Sequence, residues 1–236
     1  WRAGEVRRAH VLNWELAGLM GRVERLRERL SSLDPAALAA RAGARYLAGI
    51  AGGGDIRFAV WGREIAVGVP GFVARDAATG AKSGPGTQAL AAYYLHTTDG
   101  SPTEGRWIPF SELPDGAFYF RAFQGYTGDL LVRAFGADLD GLARAAERRG
   151  GRREADGDLS YSFFALPRVP ILLVCWRGDE EFPPSARLLF DASAGRHLPT
   201  DVCAVLGSTL TRRLVEANDA GPAGGNGEAA LSGAAG

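Results

Sequence analysis

Residues 169–176 read Val-Pro-Ile-Leu-Leu-Val-Cys-Trp, a charge-free run that constrains the fold more than any other stretch. Either of its faces, if left in water, would expose apolar surface. Such a run is therefore a central sheet strand covered on both sides. Leu188 to Phe190 predicts a second buried strand, and Leu159 to Leu166 a third, with Tyr161 and Phe163 on one face. Thr200 then caps a last helix, whose apolar face is Val202, Leu206, Leu210 and Leu214.

Earlier in the chain, Ile56, Phe58 and Val60 alternate, Gly62-Arg63 follows, and Ile65, Val67 and Val69 alternate again. This predicts a β-hairpin with a glycine-first two-residue turn. Asp34-Pro35 opens a short helix closed by Gly43. Residues 71 to 86 read as loop, and Thr87 as the N-cap of a helix carrying Leu90, Tyr93, Tyr94 and Leu95, with His96 in its last turn. Residues 107 to 126 are dense in aromatics and read as a short strand, a proline turn and an extended segment. A short helix follows over Leu130 to Phe135, and a cleaner one from Asp138 to Arg149.

Leu12, Leu16, Leu19, Val23, Leu26, Leu30 and Leu33 recur at alternating four- and three-residue steps, as an a/d seam does. With Gly18 and Gly21 inside it, the seam reads as an amphipathic helix docked on its own domain; the alternative is a short homodimeric coiled coil. The fold class is thus α+β, a mixed or antiparallel sheet with flanking helices, plus this N-terminal helix. The predicted organisation is a helical extension over 1–33, a single domain over 34–218, and a disordered Gly/Ala-rich tail over 219–236.

Charge and cysteine content limit the function classes. Lys+Arg 27 balances Asp+Glu 27, so no net basic field draws the chain to nucleic acid or an anionic membrane. Cys175 and Cys203 are the 2 cysteines, too few for a disulfide framework, a zinc site or an iron–sulfur ligand set. No apolar run reaches membrane-spanning length, and a reduced, cytoplasmic setting is expected. Gly84-Pro85-Gly86-Thr87 lacks the spacing and the lysine of a phosphate loop. The arginines at 148, 149, 152 and 153 read as a basic helix end and a solvated loop, diluted by Glu147, Glu154 and Asp156.

Candidate chemistry lies in two connections. Asp179, Glu180 and Glu181 follow the apolar strand; Asp191 follows the next, and His197 precedes the last helix. If these loops converge, His197 with Asp191, Glu180 and Glu181 could ligate a divalent metal for a hydrolase, or act as an acid–base set. No named catalytic motif supports this, and a solvated acidic turn with a structural histidine is the simpler reading. Ser185 and Ser193 read as turn-bonding hydroxyls rather than nucleophiles. Trp107 and Trp176, if they meet, would wall an apolar pocket with Tyr119, Tyr126 and Arg121 near it. The expectation is an accessory domain that binds a small molecule or cofactor between the aromatic segment and the Glu180–His197 region. No particular cofactor is assigned from the residues.

The segments WIPFSELPDGAFYFRAFQGYTGDLL and ALPRVPILLVCWRGDEEFPPSARLLFDASAGRHLPTD resemble the family known as domain of unknown function 3786. The hairpin FAVWGREIAVGVP and the helix TQALAAYYLHTTDGSP resemble it too, so the similarity covers roughly Leu33 to Leu214. The resemblance implies an occurrence chiefly in anaerobic bacteria and archaea, and anaerobic metabolism as the setting. It carries no established activity, and it makes a corrinoid or tetrapyrrole the ligand class to test first. Some family members carry an N-terminal cysteine-rich segment resembling an iron–sulfur site; this chain has the heptad helix there instead.

Overall fold

A computed structural model describes residues 21–219. Leu12, Leu16 and Leu19 of the seam and the tail from residue 220 onward lie outside the described residues. Helix α1 covers residues 21–31. Val23 and Leu30 are fully buried and Leu26 nearly so, all within the chain's own core. That part of the seam is therefore docked on the domain. Asp34 caps α2 (Pro35–Arg41) by accepting from the backbone N–H of Ala36 and Ala37.

The first sheet is antiparallel, in the order β1 (Arg45–Ala48), β2 (Gly54–Val60), β3 (Arg63–Val69), β4 (Val73–Asp76). The hairpin is present, but its turn is Trp61-Gly62, one residue earlier than the glycine-first reading. Val60 pairs with Arg63, and both turn residues have positive φ, 52° and 78°. This is the doubly left-handed turn whose twist matches the strands, and a glycine at its second position eases it. β1 and β4 were not expected. Both are short strands whose pairing depends on the hairpin beside them.

Helix α3 (Pro85–Thr97) begins two residues before Thr87, with Gly84 as N-cap and Pro85 at the first position. It is buried from Gln88 to Leu95. Gln88 meets the backbone of Ala74 twice, at 3.0 and 2.7 Å, and Tyr94 donates its hydroxyl proton to the Ala42 carbonyl at 2.7 Å. These bonds fasten α3 to β4 and to the end of α2.

The second sheet is also antiparallel, in the order β5 (Trp107–Pro109), β9 (Ser185–Asp191), β8 (Val169–Trp176), β7 (Leu159–Leu166), β6 (Arg152–Arg153). The apolar run is its central strand and is buried from Val169 to Cys175. α5 (Gly128–Phe135) lies against β9 and α6 (Leu139–Arg148) against β7, while α8 (Thr200–Asp219) packs on α4 (Gly116–Tyr126), α5 and α6. Gly128 sits so close to β9 that an added Cβ would lie 2.0 Å from the Ala186 carbonyl oxygen.

One expectation is overturned over residues 116–126. They form helix α4 (Gly116–Tyr126), not an extended segment. Phe and Tyr favour strands, yet the buried positions Gly116, Phe123 and Thr127, with half-buried Phe120 between, step at helical intervals. Phe123 stacks on Phe110 at 4.1 Å between ring centroids and lies 6.1 Å from Phe190. The aromatic density is thus mainly core.

The two sheets meet at the hairpin tip. The Trp61 N–H donates to the Ala165 carbonyl at 3.0 Å, and β2 packs along β7. One continuous cluster of buried apolar side chains runs through both sheets.

Candidate functional site

Strand alternation places Ile56, Phe58 and Val60 inward and leaves Arg57 and Ala59 on the other face of β2. On β7 the same rule leaves Phe164 outward, 59% exposed between buried neighbours. These surfaces face each other across the junction of the sheets and enclose a cleft of about 590 Å³. Its size is that of a small-ligand site. Phe58, Trp61, Phe163 and Phe164 border it; Phe58 and Phe163 belong to the buried core, and Phe164 is the exposed ring. Arg45, Arg57, Arg149 and Arg152 line it as well, and among the described residues Glu64 is the only carboxylate in the lining.

Two of the arginines are held loosely: Arg57 is 3.6 Å from Asp55 and Arg152 is 3.9 Å from Glu154. Arg45 pairs closely with Glu64 at 2.6 Å, and Arg149, 3.9 Å from Glu216, donates its Nε–H to the Arg213 carbonyl at 2.8 Å. Arg213 crowds the same region from α8, its guanidinium carbon 5.4 Å from the Trp61 ring centroid. The nitrogens Arg57 Nε, Trp61 Nε1 and Arg213 Nε are buried and have no hydrogen-bond partner among the described residues. Buried donors are almost always satisfied, so two in the cleft lining, on Arg57 and Trp61, with a third on Arg213 beside the Trp61 ring, depart from the rule. Burial lowers the pKa of Arg213, and the Arg149 charge adds to it.

The residues singled out from sequence fall into separate places. Asp191 is buried at the end of β9. Its Oδ1 accepts from Glu104 N, Ser193 N and Ser193 Oγ at 2.9, 2.9 and 2.6 Å, and its Oδ2 from Gly105 N at 2.7 Å. Burial alone would raise its pKa; the hydrogen bonds outweigh it and hold the carboxyl below its ordinary value. Ser193 is thereby a turn hydroxyl, as expected. His197 ends the short helix α7 (Ala194–His197) within what had read as loop, and is fully buried. Its Nδ1 lies 2.9 Å from Thr98 Oγ1, and its Nε2 has no partner among the described residues. Burial, reinforced by Arg168 and Arg196, lowers its pKa against the pull of Asp99 and Asp191.

Glu180 and Glu181 lie in the exposed β8–β9 connection, where Asp179 Oδ1 accepts from Glu181 N at 2.9 Å and Phe182 N at 2.8 Å. That connection opens β9, whereas Asp191 closes it. Six strand steps of about 3.4 Å put roughly 20 Å between the two ends. The acids are not brought to His197. Among the described residues, no group of three or more His, Cys, Asp or Glu side chains is placed to hold a metal ion.

Trp107 pairs with Asp191, and Trp176 with Ser185 at the other end of the same strand, so the two indoles do not form one wall. Trp176 is half-exposed and lies under Arg187, 5.9 Å from ring centroid to guanidinium carbon. Tyr119 and Tyr126 approach each other on α4, with ring centroids 6.3 Å apart, while Arg121 is exposed on that helix. The cleft between the sheets was missed because no local pattern says that β2 and β7 adjoin. The available signal was Phe164, an apolar side chain on the outward face of its strand.

The architecture defines an α+β protein of two antiparallel sheets with a basic, aromatic-lined cleft at their junction. The chain belongs to the family described as Domain of unknown function (DUF3786), whose model matches residues 34–213. No curated protein and no solved structure matches it. Among the described residues, no helix is long and apolar enough to cross a membrane.

Proposed function

We infer that this protein is an accessory small-molecule-binding protein and that the cleft between its sheets is the binding site. The ligand is an anionic molecule with a flat apolar body. The observation that carries this reading is the pair of buried donors on Arg57 and Trp61 in the cleft lining that have no hydrogen-bond partner among the described residues, with Arg213 beside the Trp61 ring. A carboxylate would accept from the guanidinium and indole N–H groups, and the ligand's apolar body would lie against Trp61 and Phe164.

Tetrapyrroles bearing several carboxylates are the first class to test. The arginines suit their acidic periphery; among the described residues the lining holds no His, Cys or Met to serve as an axial metal ligand. Binding would therefore be to the side chains and ring of such a molecule, and transport or delivery fits better than catalysis at its metal. An anaerobic setting is compatible with this role.

Absorbance titration with a cobalamin, a haem and a metal-free porphyrin bearing several carboxylates tests the reading. Binding that Arg57→Ala weakens about tenfold or more is expected, since one charge-assisted hydrogen bond is worth about 1.5–3 kcal/mol. Absence of binding to all of them removes the tetrapyrrole. Quenching of Trp61 fluorescence by no anionic aromatic molecule would remove the cleft as a ligand site.

A further inference from the structure

A second cleft, of about 380 Å³, lies between α1 and α3 and is bordered by Pro199. Arg22, Arg25 and Arg29 line it from α1, and Tyr93, His96 and Thr97 from α3. Their three- and four-residue spacing sets the arginines on one helix face. Arg22 is answered by Asp201 at 3.0 Å, and its guanidinium carbon lies 5.8 Å from the Tyr93 ring centroid. Arg25 and Arg29 have no ion-pair partner among the described residues. Glu24, their neighbour on α1, is paired with Arg27 instead. Tyr93 is only 5% exposed, and its hydroxyl is buried with no hydrogen-bond partner among the described residues.

We propose that this cleft binds a phosphate group, free or esterified, through Arg25, Arg29 and the Tyr93 hydroxyl. Two guanidinium groups, a hydroxyl and an imidazole offer more donors than the two oxygens of a carboxylate accept. A phosphate presents three acceptor oxygens and a charge of about −1.5 to −2. Guanidinium forks match those oxygens in pairs. The volume leaves room for the substituent of an ester. His96 borders the cleft as a further N–H donor, its pKa lowered by burial and then by Arg29 and Arg41. This site shares no lining residue with the cleft between the sheets, so it stands or falls separately.

Isothermal titration of the full chain with inorganic phosphate, and separately with glycerol 3-phosphate, tests the proposal. A Kd of about 1 mM or tighter is expected for at least one of them. The double variant Arg25→Gln/Arg29→Gln weakens it about tenfold or more, and Tyr93→Phe about tenfold, as the loss of one hydrogen bond to a charged acceptor does. Arg57→Ala leaves it unchanged. Tighter binding of the ester assigns an esterified ligand; tighter binding of inorganic phosphate assigns the free anion. Both arginines are exposed, so their replacement removes no core packing, and Tyr93→Phe keeps the buried ring as a second measure. No heat from either compound, affinity unaltered in the double variant, or affinity lost in Arg57→Ala overturns the proposal.

Discussion

Asp191→Asn separates an anchoring role for this carboxylate from a chemical one. Asp191 holds four hydrogen bonds that tie the 104–105 turn and Ser193 to the end of β9. The amide keeps one acceptor oxygen and turns an NH₂ toward a backbone N–H, leaving two donors opposed. Bonds to a charged acceptor contribute about 1.5–3 kcal/mol each, against about 0.5–1.5 for neutral ones. Three weakened bonds at about 1 kcal/mol each, plus about 1–3 kcal/mol for the unmatched donor, are partly offset because a neutral group costs less to bury. About 3 kcal/mol of destabilisation remains, or a fall in Tm of about 6–12 °C for a domain this size. Urea unfolding reads it as a lower midpoint at unchanged m. The pH dependence is the sharper measure. The native pKa of Asp191 lies below its unfolded value of about 3.9, so its stabilisation is present above that value and is lost as pH falls through the native pKa. The gap between wild type and variant must close over that acid range. A loss under about 1 kcal/mol at pH 7, or a gap that persists unchanged at low pH, would refute the anchoring account.

His197 gives a second pH window. Its native pKa lies below its unfolded value, so stability declines as pH falls below about 6.5. His197→Gln should remove that part of the slope, leaving the part from His96; an identical slope in the variant would count against a neutral buried imidazole. Cys175 and Cys203 have thiol pKa values pushed up to about 12, by burial first in both. Neither should react with a disulfide reagent at pH 8 in the native state, and both should label at the rate of unfolding. Gly128→Ala drives a Cβ into the Ala186 carbonyl oxygen and should cost about 3 kcal/mol or more in a urea titration; a shift below about 1 kcal/mol would mean that α5 slides freely over β9.

Much of the fold is legible in the residues themselves. The charge-free run at 169–176, the alternation on either side of residue 62, the Asp34-Pro35 start and the apolar stripe of α8 each depend on contacts that a single local pattern encodes. Helix α4 was hidden because aromatic side chains carry a strong preference for strands, and its helical spacing spans barely three turns. β1 and β4 were hidden because each is four residues long and has meaning only beside the hairpin. The resemblance to the family, by contrast, was carried by long continuous segments and extends over the region its model matches.

The candidate site divides in the same way. Sequence alone determined which groups could do chemistry, and that Asp191 and His197 border the last strand and helix. Only the tertiary structure decided that both are buried in structural bonds while Glu180 and Glu181 stand at the far end of β9. It also decided that Arg57 and Trp61 from one hairpin meet Arg149, Arg152 and Phe164, about a hundred residues later in the chain. The reason is physical: a strand's alternation fixes which side chains leave its core face, but not what surface they meet. That is set by the hairpin tip bonding to Ala165, a pairing with no local signature.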